Sequence, residues 1–317
     1  MKKLFLAAGV LILLGAVIFI IALSCHGWDF KMLDTSKYES HTYEINDTFD
    51  VINVYSNTAD FKILPSEDGV CKVICFEPNY ANSTVSVTDG KLEINTVYKI
   101  KWYKSLFNFN SPKVTVYLTE TDYAAFNTKT DTGDVELSEH FSFGSIDIES
   151  DTGDVLIRAF SGETRVKTDT GDIKIENTEV KSLDLSVSTG DVTLSDVAVE
   201  ENIKISVSTG KTRITNATCH SFISEGDTGD LILKNLIANE KFDIERDTGD
   251  VTFEGCDASE IFVETDTGDV EGSLLTDKVI FASSDTGDVT VPKLLTGGKC
   301  EIKSDTGDIK IEIQSKE

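Results

Sequence analysis

The chain has 317 residues, 40% hydrophobic and 26% charged, with 55 acidic side chains against 29 basic ones and a net charge of −26. Such a composition supports a buried core and excludes wholesale disorder, and the acidic excess excludes a nucleic-acid partner, which needs cations facing phosphates. Four histidines stand apart at 26, 41, 140 and 220, and HExxH, paired CxxC, the Walker loop and GxSxG are all missing, so no catalytic residue and no cofactor is assigned.

In chain order, Lys2 and Lys3 precede an uncharged run of 21 residues, Leu4 to Ser24. As a helix it measures about 31 Å, enough to cross a bilayer core, and it exceeds the ~7–15 apolar residues of a cleaved signal peptide. Residues 1–28 therefore read as an uncleaved membrane anchor. The positive-inside rule predicts a cytoplasmic N-terminus and an extracytoplasmic body, with Trp28 at the interface. Ala22-Leu23-Ser24-Cys25 loosely resembles a bacterial lipobox, but Ala22 replaces the usual leucine, which favours a plain thiol over lipidation. Residues 29–44 read as a juxtamembrane linker.

Residues 45–130 are expected to be irregular coils of the architecture that follows them. Asn57-Thr58-Ala59-Asp60-Phe61-Lys62-Ile63 looks like a degraded unit, Val87 to Ile94 like a turn between strands, and Val114 to Leu118 like an alternating strand. The stretch 99–109 is basic and aromatic, either a loop packed on the body or a contact for a partner or membrane surface. Cys71 and Cys75 fall four apart in a strand, about 13 Å, too far to bond to each other. No disulfide framework is readable, and the cysteines are expected to be reduced packing residues.

Residues 131–317 are dominated by repetition. Asp-Thr-Gly-Asp occurs intact at 131–134, 151–154, 169–172, 227–230, 247–250, 266–269, 285–288 and 305–308, with variants at 188–191 and 208–211. The glycines are Gly133, Gly153, Gly171, Gly190, Gly210, Gly229, Gly249, Gly268, Gly287 and Gly307, 18–20 residues apart. Apolar residues alternate on both sides of each glycine, as in Val251/Phe253 after it and Ile261/Val263 before the next. Period two means strands with one buried face. Another inward position is expected seven after the glycine, at Phe160, Val197, Leu236, Cys256, Leu275 and Leu294. Glycine suits the third position of a type II turn, and Asp or Ser at the first can accept a nearby backbone N–H.

An open sheet of ten hairpins would need a cover, and the body offers no helix for one. The predicted fold is therefore all-β: a single-stranded β-helix or β-solenoid, right-handed by the usual crossover rule, of about ten 19–20-residue coils behind one transmembrane helix. Each coil is expected to lie on the one before it. The last strand, Ile309 to Ile313, would then form the uncapped end.

The repeats, with Phe61-Lys62-Ile63-Leu64-Pro65 and Ser111-Pro112-Lys113-Val114-Thr115-Val116-Tyr117-Leu118, resemble the bacterial family called domain of unknown function 4097, described as adhesins with β-strand repeats. The resemblance covers about residues 40–317. It implies a β-solenoid, often tethered to the envelope of Gram-positive bacteria, with no established reaction and no catalytic residues to carry over.

Stacking would align Asp131, Asp151, Asp169, Asp227 and Asp247 in one column and Asp134, Asp154, Asp172, Asp230 and Asp250 in another. Unit charges 4.8 Å apart repel by ~0.9 kcal/mol even in water. Turn N–H donors, salt screening or a row of Ca2+ ions could offset this. Ser188, Ser208 and Lys211 interrupt the columns, which favours N–H capping over a cation row. Identical turns offer identical environments, whereas acid–base catalysis needs two pKa values pushed apart. Arg165, Arg213 and Arg246 are expected to be solvated or paired. The expected protein is a membrane-tethered, extracytoplasmic, non-enzymatic solenoid for adhesion, envelope organisation or envelope-stress sensing. Its partners would be the membrane, through residues 4–24, and a cell-surface glycan or envelope protein. The alternatives are a carbohydrate-active β-helix enzyme and a Ca2+-dependent surface-binding module. No oligomeric state is legible.

Overall fold

The computed structural model describes residues 2–25, 37–81, 83–97 and 111–314. It is a β-solenoid whose coils stack as parallel ladders in register, preceded by the helix Lys2–Cys25. Alternation decides the inside. Val251, Ile261 and Val270 are fully buried, as are the equivalent residues of the other inner coils, and they form one continuous core. Every inner strand is hydrogen-bonded on both edges, so its backbone polar groups are satisfied without a covering layer.

Each regular coil turns twice between the glycines. One turn is the Asp-Thr-Gly-Asp corner. The other lies six residues after the glycine, where Asn177, Asp196, Asn216, Asn235 and Gly255 all have φ between 52° and 62°. Asn and Asp tolerate this left-handed conformation better than other side chains, which explains their choice. Asn216 Nδ2 donates to Asp196 Oδ1 and Asn235 Nδ2 to Asn216 Oδ1, both at 2.9 Å, so this corner is tied from coil to coil.

Residues 57–60 are indeed a degraded unit, for Phe61 pairs with Val135 and the Gly133 turn stacks on Ala59. The stretch 84–96 is a hairpin, Thr84–Thr88 antiparallel to Lys91–Thr96, turned by Asp89 and Gly90. Part of the expected linker is structured, since Tyr38–Glu44 forms a strand antiparallel to Lys72–Pro78. The basic aromatic stretch 99–109 lies outside the described residues. Cys75, Cys219, Cys256 and Cys300 are buried and all six cysteines are free. Burial pushes the Cys219 and Cys300 thiols up to about 12, so they pack as neutral groups.

The expectation of strictly sequential stacking fails at both ends. Glu260–Thr267 pairs not with Lys278–Thr286 but with Gly298–Thr306, which in turn pairs with Lys278–Thr286. Val270–Leu274, Ile309–Ile313 and Val289–Thr290 follow the same order. The last coil of the chain is thus slotted between the two before it, and coil 278–290 forms the spatial end. At the other end Val51–Ser56 lies between Lys91–Thr96 and Asp122–Thr132, so the second coil of the chain is outermost. Parallel rungs with the same spacing accept one another in any order, which makes such exchanges geometrically possible.

Four expected inward residues are misplaced. Phe160 is 43% exposed because its unit has only 18 residues and lacks the left-handed corner residue, so Ala159 takes the buried position. Leu275 and Leu294 are half-buried, and Val289 is exposed, because they belong to or border the end coil. The helix Lys2–Cys25 carries 24 residues, of which the side chains of 9–22, 24 and 25 are described. Among the described residues no helix is long and apolar enough to cross a membrane. The described apolar side chains of this helix, Val10 to Ile21, are exposed.

Candidate functional site

The feature that distinguishes this surface is the ridge made by the ten glycine turns. Their φ values run from 133° to 159°, well beyond the value of about +80° that a type II turn requires. The glycines therefore occupy a region essentially closed to other residues, and the type II expectation is corrected. A second constraint comes from stacking. A Cβ on Gly249 would sit well inside 3.0 Å of the Gly229 carbonyl, and one on Gly229 would meet Gly210 in the same way. Every ridge glycine except Gly287, on the end coil, donates its N–H to the threonine carbonyl of the next rung, as from Gly229 to Thr248 at 2.8 Å.

The second acidic column solves its own repulsion by a ladder. Asp154 N–H donates to Asp134 Oδ1 at 2.9 Å, Asp172 N–H to Asp154 Oδ1 at 2.8 Å, and Asp191 N–H to Asp172 Oδ1 at 2.8 Å. The pattern resumes from Asp250 to Asp230 at 3.3 Å and continues from Asp269 to Asp250, Asp308 to Asp269 and Asp288 to Asp308, at 2.7–2.9 Å. The donor comes from the adjacent coil rather than from the same turn. Charge-assisted bonds of this kind are the stronger class. The ladder breaks at Lys211, whose N–H still reaches Asp191 Oδ1 but which offers no acceptor onward. Its ammonium instead lies 2.8 Å from Asp230 Oδ2, and Arg213 lies 3.4 Å from Asp191 Oδ2. Lys211 holds the Asp230 carboxyl below the ordinary range, whereas burial pushes Asp60, at the first rung, upward.

Asp131, Asp151, Asp169, Asp227 and Asp247 form the outer column and are exposed. Among the described residues no three His, Cys, Asp or Glu side chains converge as a metal-ion site requires. Beside the ridge the outward strand faces alternate in charge, with Lys129 on Glu149 at 2.9 Å and Arg165 on Asp184 at 3.4 Å.

Two buried cations escaped the sequence reading. Arg246 is 3% exposed, three residues before Gly249, where other units place Thr130, Ser150 or Thr168. Its guanidinium fills the space over Gly226 in the adjacent coil, Nη2 donates to Ser224 Oγ at 2.7 Å, and burial lowers its pKa to about 10. Gly226 is the one unit without a side chain at that register and was the available signal. Lys278 is 2% exposed and pairs with Asp257 at 2.6 Å, fixing the strand that begins the end coil.

Residues 49–224 and 200–317 match the model of the Toastrack family, domain of unknown function 4097. The chain belongs to this family. Among solved structures this Toastrack protein is similar to a candidate adhesin from Parabacteroides merdae, at 12% identity and a TM-score of 0.49, covering 88% of this chain and 98% of that one. It is similar also to a candidate lipid-binding protein from Parabacteroides distasonis, at 13% identity, a TM-score of 0.46 and the same coverages. A third, a candidate adhesin from Bacteroides fragilis, has 15% identity and a TM-score of 0.41, covering 88% and 99%. No curated protein matches the sequence.

Proposed function

We propose that this Toastrack protein is a non-enzymatic solenoid, held at a membrane by its N-terminal helix, that presents its acidic ridge outside the cytoplasm for adhesion or envelope organisation. The observation that carries the non-enzymatic part is the ladder. One turn recurs in much the same environment on either side of the break at Lys211, and most inner-column carboxylates serve as acceptors for the next coil. Such a surface gives a partner repeated contacts at a fixed spacing, not a pair of unlike acid and base groups. The tether rests on the run Leu4 to Ser24, the flanking Lys2 and Lys3, and the exposed apolar side chains of the helix. The alternating salt pairs beside the ridge suit a polar partner such as a glycan or envelope protein.

The test is protease shaving of intact cells, then glycan-array binding and a product-release assay with the purified protein. Loss of the solenoid on shaving, with glycan retained and no product released, is the expected result. Turnover of a bound glycan would overturn the non-enzymatic reading, and full protection from protease would overturn the topology. A Ca2+ titration of the thermal melt belongs to the same series. A millimolar-range upward shift would make the ridge a cation-dependent surface instead.

A further inference from the structure

The two ends of the solenoid are finished differently. At one end the outermost coil is covered by antiparallel strands, with Thr84–Thr88 laid on Lys91–Thr96, Lys72–Pro78 on Lys113–Leu118, and Tyr38–Glu44 beyond it. At the other end nothing among the described residues covers coil 278–290. Lys278–Thr286 pairs on one edge only, with Gly298–Thr306. Its inward residues Ile280 and Ala282 are only half-buried, whereas Cys300 and Ile302 one rung in are at 0% and 1% exposure. The core therefore opens to solvent here, and Phe281 is exposed beside it.

Strand edges are normally guarded by charge, proline or a bulge. The outward faces of the inner rungs are charged, as at Asp243, Glu245, Glu264, Glu301 and Lys303. From Val279 to Ser284 the edge strand carries no charge at all. An unguarded edge in a chain of net charge −26 calls for an occupant.

Among the described residues no other strand of this chain pairs with that edge. Gln314 N–H donates to the Leu274 carbonyl, so Ile309–Ile313 continues along an inner rung and not along this edge.

A second copy fits. Antiparallel pairing about a two-fold axis at Ala282 sets Phe281 opposite Ser283, Ile280 opposite Ser284, and Val279 opposite Asp285. No like charges face one another, and the half-buried Ile280 and Ala282 of each copy close the core of the other. The same axis sends the two acidic ridges to opposite ends of the shared strand pair, keeping them apart. We propose that two copies of this chain join end to end through Val279–Ser284, making one continuous sheet across a two-fold interface. The inference does not depend on the membrane tether.

The test uses the full-length protein in detergent micelles, with a concentration series by light scattering and sedimentation. The wild type is expected to dimerise. The double variant Phe281→Lys/Ser283→Lys changes two exposed positions and sets four ammonium groups at the pairing, so the dimer should weaken at least about tenfold with an unchanged melt. Independently, Ala282→Cys in a Cys25→Ser background should give a covalent dimer on mild oxidation, since cross-strand Cα atoms lie within disulfide reach, and Ser206→Cys on an inner rung should not. A monomeric wild type, a dimer indifferent to the lysines, or Ala282→Cys joined in cells to a different protein would each overturn the proposal.

Discussion

Replacing Gly249 with alanine tests the ridge most directly. The backbone there has φ 144°, and holding a residue with a Cβ in that region costs roughly 1–3 kcal/mol. The new methyl would also collide with the carbonyl of Gly229, a residue held by its own N–H bond to Thr248, and overpacking of this kind costs typically 1–3 kcal/mol. The two add to about 4 kcal/mol. At roughly 2–4 °C per kcal/mol for a chain of this size, the melt should fall by roughly 8–16 °C. Gly287 is the internal control. It has φ 159° and the same clash with Gly307, but its coil is the free end and can lift away, so Gly287→Ala should cost about half as much. Thermal melts by circular dichroism, with hydrogen exchange to place the damage, would measure both. Equal melts for the wild type and Gly249→Ala, or equal losses at Gly249 and Gly287, would refute the argument from stacked, pinned carbonyls.

The ladder makes a contrast between neighbours in one turn. Asp172→Ala orphans the Asp191 N–H and should cost about 1–2 kcal/mol, whereas Asp169→Ala in the exposed outer column should stay within ~0.5 kcal/mol, both read from urea melts. Gly226→Ala should destabilise strongly because its methyl meets the Arg246 guanidinium, and adding Arg246→Met, with its flexible unbranched chain, should recover much of the loss in a double-mutant cycle. Burial raises the folded pKa of Asp60, so its charged form is disfavoured in the native state. Asp60→Asn should therefore raise the melting temperature at pH 7, with the gain fading as pH falls through the raised pKa and both proteins become neutral there. Ending the chain after Gly297 removes the slotted coil, and Lys278–Thr286 should then dock on Glu260–Thr267 with Ile280 against Ile261, giving a shorter folded solenoid by hydrogen exchange. Global unfolding would show that coil order is not interchangeable.

The coil itself was legible because burial and sequence share a period. Val135, Ile157, Leu194 and Val251 could face only inward, and a glycine every 18–20 residues could only be a stacked corner. Coil order was not legible. Glu260–Thr267, Gly298–Thr306 and Lys278–Thr286 each offer an alternating face ending in the same tetrad, so local pattern cannot rank their neighbours. The weak inward set Ile280, Ala282 and Ser284 was the one hint that this strand belongs at an end. The second corner was written in Asn177, Asp196, Asn216 and Asn235, six after each glycine, and was passed over because polar residues there read as loop. Arg246 was expected to be solvated or paired because a lone arginine normally is. Its burial depends on Gly226, a residue in a different coil, which no local reading connects to it.

The slotted final coil bears on how the molecule would respond to being pulled. A solenoid wound in sequence can be peeled from its free end, one rung at a time. Here Ile309–Ile313 has a ladder on each flank, so tension applied through this strand must shear two rows of backbone bonds together before anything unwinds. That arrangement puts the first yielding point away from the strand through which the load enters.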